Sequence, residues 1–228
     1  MDSMNKDVLF NIATMLVLDN LLSFCNSDPR INRLICQGEA IWNFKLAKEF
    51  PNWRDNIDKR GREAYELLVG LTKLKNVLKY LGNIYQLYKE TKLKSYNNKI
   101  ITLPSEIGLL SNLRELYLSN NQITTLPPEI GQLSNLQVLS LSYNRITTLP
   151  PEIGQLNQLQ ELWLYNNRIT TLPPEIGQLS QLRKLFLDNN QIQSLPSKIG
   201  QLNQLQVLSL DRNVRVLPEL KHLPITYK

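Results

Sequence analysis

Apolar residues recur with a fixed period over the second half of the chain. Residues 113–121 have the form L-x-x-L-x-L-x-x-N, and the same frame begins again every 23 residues. The later copies begin at Leu136, Leu159, Leu182 and Leu205. Self-similarity at a fixed period of this length indicates a stacked repeat architecture.

Each copy has two parts with different patterns. Leu116 and Leu118 alternate with other residues, as one buried face of a short strand requires. The second part, ITTLPPEIGQL, begins at Ile123 and recurs verbatim from Ile146 and Ile169. A single copy cannot fold alone, because ordering it costs roughly 1–2 kcal/mol per residue in backbone entropy. Neighbouring copies must therefore bury each other's leucines and pair their strands into a parallel sheet.

The two prolines of the second part predict an irregular turn. Proline cannot donate to a sheet ladder but is tolerated in the first turn of a helix. We therefore predict a short helical or 3₁₀ turn over Pro127 to Gly131. Gly131 is predicted to end this turn with a positive φ.

These copies resemble the leucine-rich repeat family, over more than half of the chain. The resemblance implies an α/β fold, a curved solenoid with a parallel sheet, behind an N-terminal all-α helical cap domain. It also places Asn121 and its equivalents inside the turns, where the amide would pair with backbone groups of neighbouring coils. We expect the repeats to span residues 93–228, with Leu220, Leu223 and Ile225 covering the last coil.

Residues 1–50 have the apolar spacing of short packed helices, and residues 51–92 continue as a helical linker or cap. Two helices are predicted in the second zone, over Gly61–Leu71 and Lys73–Tyr88. Residues 1–50 also resemble the F-box pattern, and these residues fall in register with it: Asp7, Leu9, Ile12, Leu16, Leu21, Leu22, Arg30, Leu34 and Trp42. The chain departs from that pattern with Met4-Asn5 in place of Leu-Pro, Asn20 in place of Asp and Ile31 in place of Trp.

The F-box resemblance implies a binding surface for a Skp-type adaptor of a cullin–RING ubiquitin ligase. The residues that would form it are Leu9, Ile12, Leu16, Leu21 and Leu22. The alternative is that the helices only cover the open hydrophobic end of the solenoid, which must be covered for solubility.

Composition narrows the classes of function. Lysine and arginine number 14 against 11 acidic residues before residue 93, and 12 against 9 after it. The basic residues do not form a block, so the charge gives little indication of nucleic-acid binding. Two cysteines are too few for a disulfide framework and favour a reducing, cytoplasmic setting, in this cell or a host's. The apolar run at residues 8–18 is interrupted by Asn11, so we read a core helix; no signal peptide or membrane span is predicted.

Catalysis is not expected. The single histidine, His222, lies far along the chain from Cys25 and Cys36, and a nucleophile needs a nearby base. No zinc-binding or phosphate-binding motif is present in the sequence, so we expect neither a metal nor a cofactor.

Recognition is the stronger hypothesis. Residues between the strand leucines point away from the core, and in several copies they are aromatic. Clustered aromatics with charged neighbours are typical of protein-binding surfaces. The predicted target-binding residues of the concave face are Tyr117, Tyr143, Trp163, Tyr165, Phe186, Asp188, Asp211 and Arg212. Stacking between adjacent strands is the structural alternative for the aromatic residues.

By resemblance, the chain would be a monomeric substrate receptor of a cullin–RING ubiquitin ligase. The helices would bind the adaptor, and the concave sheet would bind the target protein. Two other hypotheses stay open: a scaffold or binding protein whose helices are purely structural, and a ligase enzyme that uses Cys25 or Cys36.

Overall fold

The computed structural model describes residues 13, 16, 18–26, 29, 36–37, 39–57, 59, 61–80 and 82–228. Five α-helices have both ends within these residues: α1 (Leu18–Asn26), α2 (Glu39–Glu49), α3 (Trp53–Asn56), α4 (Gly61–Leu78) and α5 (Ile84–Lys89). The predicted helix around Leu9 and Ile12 lies outside the described residues. The chain divides into two compact units, residues 1–72 and 73–228.

The helical unit has a core with buried polar groups. Trp42 is 1% exposed, and its indole Nε1 donates to the Cys36 carbonyl at 2.9 Å. Lys45 is 2% exposed; its ammonium donates to the Leu16 carbonyl and lies 3.4 Å from Glu49. A buried charge needs such partners, because its desolvation would otherwise cost several kcal/mol.

A disulfide joins Cys25 and Cys36, whose Cα atoms lie 5.8 Å apart. The sequence did not predict it, because two cysteines alone do not define a framework. Both residues are buried, at 1% and 2% exposure. No free thiol is left in this state of the chain.

Helix α4 corrects the predicted division at Thr72. One helix runs from Gly61 to Leu78, and the Thr72 hydroxyl donates to the Leu68 carbonyl at 2.8 Å, so the residue is accommodated within the helix. Helix α5 begins separately with a capping box. Asn83 Oδ1 accepts from the Gln86 backbone N–H at 2.8 Å, and the Gln86 side chain accepts from the Asn83 N–H.

The repeats form a parallel sheet of seven strands in chain order. Its strands are β1 (Lys92–Lys94), β2 (Glu115–Tyr117), β3 (Val138–Ser140), β4 (Glu161–Trp163), β5 (Lys184–Phe186), β6 (Val207–Leu210) and β7 (Ile225–Tyr227). One leucine of each strand from β1 to β6 pairs in register with the next, from Leu93 to Leu208, and all are buried. The parallel sheet predicted from the repeat is confirmed.

Each strand from β1 to β6 is followed by a loop and a 3₁₀ turn. The turns span Ser105–Leu109, Pro128–Gln132, Pro151–Gln155, Pro174–Gln178, Ser197–Gln201 and Pro218–Leu220. The turn predicted at Pro127–Gly131 is therefore confirmed. The positive φ predicted for Gly131 is wrong: a Cβ there would lie 2.7 Å from the Glu152 carbonyl oxygen of the next coil. Glycine is needed because the coils approach closely, not because of its backbone angle.

The recurring asparagines tie neighbouring coils together. Asn144 Nδ2 donates to the Leu141 carbonyl of its own coil at 2.9 Å and to the Leu118 carbonyl of the preceding coil at 3.0 Å. Its Oδ1 accepts from the Ile123 N–H at 3.0 Å. Asn121, Asn167 and Asn190 repeat the arrangement, which is the role that the family resemblance implied.

The C-terminal residues extend the sheet. Leu220 and Leu223 are buried, as predicted for a terminal cap, and Ile225 is partly exposed. The sequence did not predict that residues 225–227 form a parallel strand beside β6. Within the described ranges, no helix has the length and apolarity to cross a membrane.

Candidate protein-binding surface

Most of the predicted target-binding residues lie on the outward side of strands β1 to β6 or directly after the L-x-L leucine pair of each copy. We call these positions together the sheet face. Trp163 and Phe186 lie side by side in β4 and β5, with ring centroids 5.7 Å apart at 75°. Tyr96 and Tyr117 form a second pair at 6.1 Å. Tyr117, Trp163, Tyr165 and Phe186 are partly exposed. Their rings remain accessible and are not part of the interior.

Two glutamates orient the central aromatic rings. Glu161 accepts from Trp163 Nε1 at 3.1 Å and from Lys184 Nζ at 2.8 Å. In the same way, Glu115 accepts from the Tyr117 hydroxyl at 2.8 Å and pairs with Lys92. The hydrogen bonds from Lys92 and Tyr117 lower the pKa of the Glu115 carboxyl. Burial, reinforced by Glu115, raises the pKa of Tyr117 to about 12, so the phenol stays protonated and able to donate. The rings are thus held in place before any partner binds.

Two predicted contact residues have structural roles instead. Asp188 is 1% exposed, and its carboxylate accepts from Ser209 Oγ at 2.7 Å. Asp211 accepts from the backbone N–H groups of Asn189 and Asn190, at 2.8 and 3.1 Å. A buried or turn-capping carboxylate has little left to offer a partner, so we remove both from the proposed contact set. Arg212 is exposed.

The small residues of β3 and its loop are also buried. Ser140 Oγ lies 2.7 Å from Ser119 Oγ, and Ser142 is 0% exposed. Ser142 Oγ has no hydrogen-bond partner within the described part of the chain. The accessible area of the sheet face is therefore carried by its aromatic and charged side chains.

Tyr143 occupies an unusual backbone position. In five coils the residue before the recurring asparagine adopts a positive φ, at Asn97, Asn120, Asn166 and Asn189 as well as at Tyr143. Asparagine tolerates this left-handed region, whereas a bulky residue rarely adopts it. Tyr143 has a φ of 55° and is 50% exposed. Its ring contacts that of Tyr165 edge-on, with centroids 5.3 Å apart.

Replacing Tyr143 with Asn is expected to raise the free energy of unfolding by about 0.5–1 kcal/mol. The left-handed conformation costs roughly 1–2 kcal/mol for an ordinary residue, and the lost ring contact returns only about 0.5 kcal/mol. Urea titration followed by circular dichroism measures the change. The reciprocal variant Asn166→Tyr is expected to lose a similar amount. A loss for Tyr143→Asn would show that the tyrosine is not strained.

The predicted adaptor residues are placed only in part. Leu9, Ile12 and the side chain of Leu22 lie outside the described residues. Leu21 is 0% exposed, so its side chain packs within the helical unit and the prediction that it contacts an adaptor is wrong. Leu16 is partly exposed, and its carbonyl accepts from Lys45.

Sequence reasoning missed the residues that surround the rings. Glu115 and Glu161 precede their aromatic partners by two positions in the strand, a spacing that places both side chains on the same face. That spacing could have been read from the sequence. The unusual backbone position of Tyr143 could also have been predicted from the sequence, because the equivalent residue in the neighbouring copies is asparagine.

A parallel sheet built from in-register coils, with an asparagine ladder and an accessible face of aromatic residues, defines a repeat protein of the leucine-rich type. The family model described as leucine rich repeat matches residues 96–145, 111–169 and 157–214, which together cover more than half of the chain. The chain belongs to the leucine-rich repeat family. Proteins of this family act in protein–protein interaction.

Two solved structures show the extent of similarity. The functional domain of InlJ from Listeria monocytogenes is 24% identical with a TM-score of 0.51; the match covers 68% of this chain and 32% of that one. A leucine-rich repeat protein of Leptospira interrogans is 28% identical with a TM-score of 0.38, over 68% of this chain and 58% of that one. This chain therefore matches less than two thirds of either structure's length. No curated protein matches the chain.

Proposed function

We propose that the chain binds a target protein on its sheet face. The observation that carries this proposal is the partly exposed pair of Trp163 and Phe186, held by the hydrogen bond from Trp163 to Glu161. Large, pre-positioned aromatic rings bury much area at low entropic cost, and such residues dominate protein interfaces. Stacking alone would not require the rings to stay accessible.

The test uses a target protein that has been selected for binding to the whole chain. Replacing Trp163 with Ala is expected to weaken its binding by at least about tenfold, because the area that the indole ring buries in the interface is lost. Titration calorimetry of the purified pair measures the change. Tyr227→Ala is the matched control, since Tyr227 is an aromatic residue 46% exposed in the last strand, away from the central rings. Equal affinity for the wild type and Trp163→Ala would remove the sheet face as the binding surface.

We further propose that the chain is a substrate receptor of a cullin–RING ubiquitin ligase, with the helical unit as its F-box-like part. The F-box register of Leu9, Ile12, Leu16 and Trp42 supports this role, and Trp42 forms part of the helical core. Ligation would then be performed by other subunits. The buried disulfide leaves no free thiol for Cys25 or Cys36 to act as a nucleophile while it is formed.

Replacing Leu9 and Ile12 with Asp is expected to abolish co-purification with a Skp-type adaptor, because buried charge without a partner is costly at an apolar interface. Pull-down at micromolar concentration measures the complex. Lys48→Asp is the control, as an exposed charge in the same unit. If the wild-type chain forms no complex either, the ligase role is contradicted, and a scaffold or binding protein with purely structural helices is favoured.

A cytoplasmic setting, in this cell or a host's, and a monomeric state are part of the same proposal. Adaptor and ligase would be present in that compartment. The Cys25–Cys36 disulfide is the feature that weighs against it, because reducing compartments keep most thiols free. Mass spectrometry of alkylated protein taken from cells distinguishes the two thiols from the disulfide.

A further inference from the structure

Basic residues outnumber acidic ones in the loops that follow the strands. The equivalent segments 97–102, 120–125, 143–148, 166–171, 189–194 and 212–217 contain five basic residues and no aspartate or glutamate, and Asp188 and Asp211 directly precede the last two of these segments. The basic residues are Lys99, Arg145, Arg168, Arg212 and Arg215. We call these segments the loop rim. The 3₁₀ turns differ: glutamate occurs in five of the six, at Glu106, Glu129, Glu152, Glu175 and Glu219.

Backbone hydrogen bonds fix the basic residues in register. The Arg145 N–H donates to the Ile123 carbonyl at 2.9 Å, and one coil further the Arg168 N–H donates to the Ile146 carbonyl at 2.9 Å. Adjacent coils in such a ladder lie about 5 Å apart. Arg145 and Arg168 are both exposed, and neither forms an ion pair within the described residues. Their guanidinium groups are therefore available to a partner.

Tyr143 lies between these arginines and the sheet face. It precedes Arg145 by two residues, and its ring contacts that of Tyr165, which belongs to the sheet face. Tyr143 adopts a costly left-handed backbone conformation, and the equivalent positions of the neighbouring coils are occupied by asparagine. Residues held in such conformations are often found where binding requires them. A basic pair and an exposed ring thus lie at one edge of the proposed target surface.

We propose that the loop rim binds an acidic segment of the target protein, with Arg145 and Arg168 pairing with carboxylates and Tyr143 contacting an apolar group between them. Arginine presents a planar fork of donors that suits carboxylates. The charge complementarity sets the partner's chemistry and its orientation along the coils. This inference rests on the proposed function, because it assigns one part of the target's contact to the loop rim.

A nucleic acid is the less favoured occupant. The rings on which bases would stack, Tyr117 and Trp163, lie beside Glu115 and Glu161, whose carboxylates disfavour phosphates there. The five basic residues are also spread over the first coil, two inner coils and the last, which is a sparse footprint for a phosphate backbone.

Fluorescence anisotropy of the full chain with a short labelled polyglutamate peptide tests the proposal. We expect binding that weakens as salt rises, because exposed charges are screened. Arg145→Glu with Arg168→Glu is expected to reduce affinity by at least about tenfold. Lys198→Glu with Lys221→Glu makes the same change in net charge outside the loop rim and is expected to retain most of the affinity. Tyr143→Asn is expected to weaken binding about threefold without changing the salt dependence.

Three outcomes overturn the proposal. The first is that polyglutamate does not bind, and the second is that the two double variants lose equal affinity. The third is that a short oligothymidylate binds more tightly than the peptide and that this binding is abolished by Arg145→Glu with Arg168→Glu. The target-binding assay with Trp163→Ala separates this result from the proposed function. If that variant loses the selected target while the loop-rim double variant keeps it, the sheet face binds the target and the loop rim does not.

Discussion

Replacing Asn144 with Ala is expected to lower the free energy of unfolding by about 2–4 kcal/mol. The side chain makes four buried hydrogen bonds, to the carbonyls of Leu118, Leu141 and Ser142 and to the N–H of Ile123. Alanine removes all four. The Leu118 and Leu141 carbonyls still accept from Asn121 and Asn167, so the Ile123 N–H is the buried group that loses its partner. A buried group left unsatisfied costs about 1–3 kcal/mol, and the lost bonds to the carbonyls add roughly 1 kcal/mol together. Urea titration followed by circular dichroism measures the loss.

Asn213 provides the matched control, because it holds the same position in the last complete copy. It is exposed, and its side chain makes no hydrogen bond among the described residues. Asn213→Ala is expected to change stability by less than about 0.5 kcal/mol. Similar effects at the two positions would mean that the asparagine acts through its intrinsic turn preference and not through bonds between coils.

The repeat region could be predicted well because its physics is local and periodic. Leu116 and Leu139 stand in the same place in successive copies, so any parallel stacking puts them in register. The same periodicity placed Trp163 and Phe186 side by side on an exposed face. A residue's position within the copy therefore determines which residue stands beside it in the next coil.

Prediction failed where a side chain breaks the repeat. Asp188 occupies a position at which Ser119 and Tyr165 are partly exposed, yet it is 1% exposed and its carboxylate accepts from the hydroxyl of Ser209 in the next strand. Lys228 adds an ammonium 3.5 Å from the same carboxylate. These contacts depend on residues of later coils, and no pattern within one copy reveals them.

The helical unit was harder to predict because its sequence contains no repeat. The bond between Cys25 and Cys36 depends on how the segments around α1 and α2 pack, which apolar spacing does not specify. The buried ammonium of Lys45 is a further example, since a lysine is rarely placed in a core by sequence reasoning. Its partners, the Leu16 carbonyl and Glu49, become adjacent only in the folded unit.

Replacing Gly154 with Ala is expected to lower the free energy of unfolding by about 2–3 kcal/mol. Gly154 lies in a 3₁₀ turn that packs on the turn of the next coil, and an added Cβ would lie 2.7 Å from the Glu175 carbonyl oxygen. That oxygen belongs to the backbone, so the two coils must separate to admit the methyl group. Overpacking of this kind costs typically 1–3 kcal/mol. Thermal and urea unfolding of the variant measure the loss.

Gly200→Ala is the control that distinguishes the cost of close packing between coils from the general cost of replacing a glycine. It follows the isoleucine of its 3₁₀ turn as Gly154 does, but an added Cβ would meet only side-chain atoms, Leu220 Cδ2 at 3.0 Å and His222 Cε1 at 3.7 Å. A leucine methyl can rotate away, whereas a backbone carbonyl within a stack cannot. We therefore expect Gly200→Ala to cost less than about 1 kcal/mol. If both variants lost the same stability, the spacing between coils would not be what requires glycine, and the reason would have to lie in the turn itself.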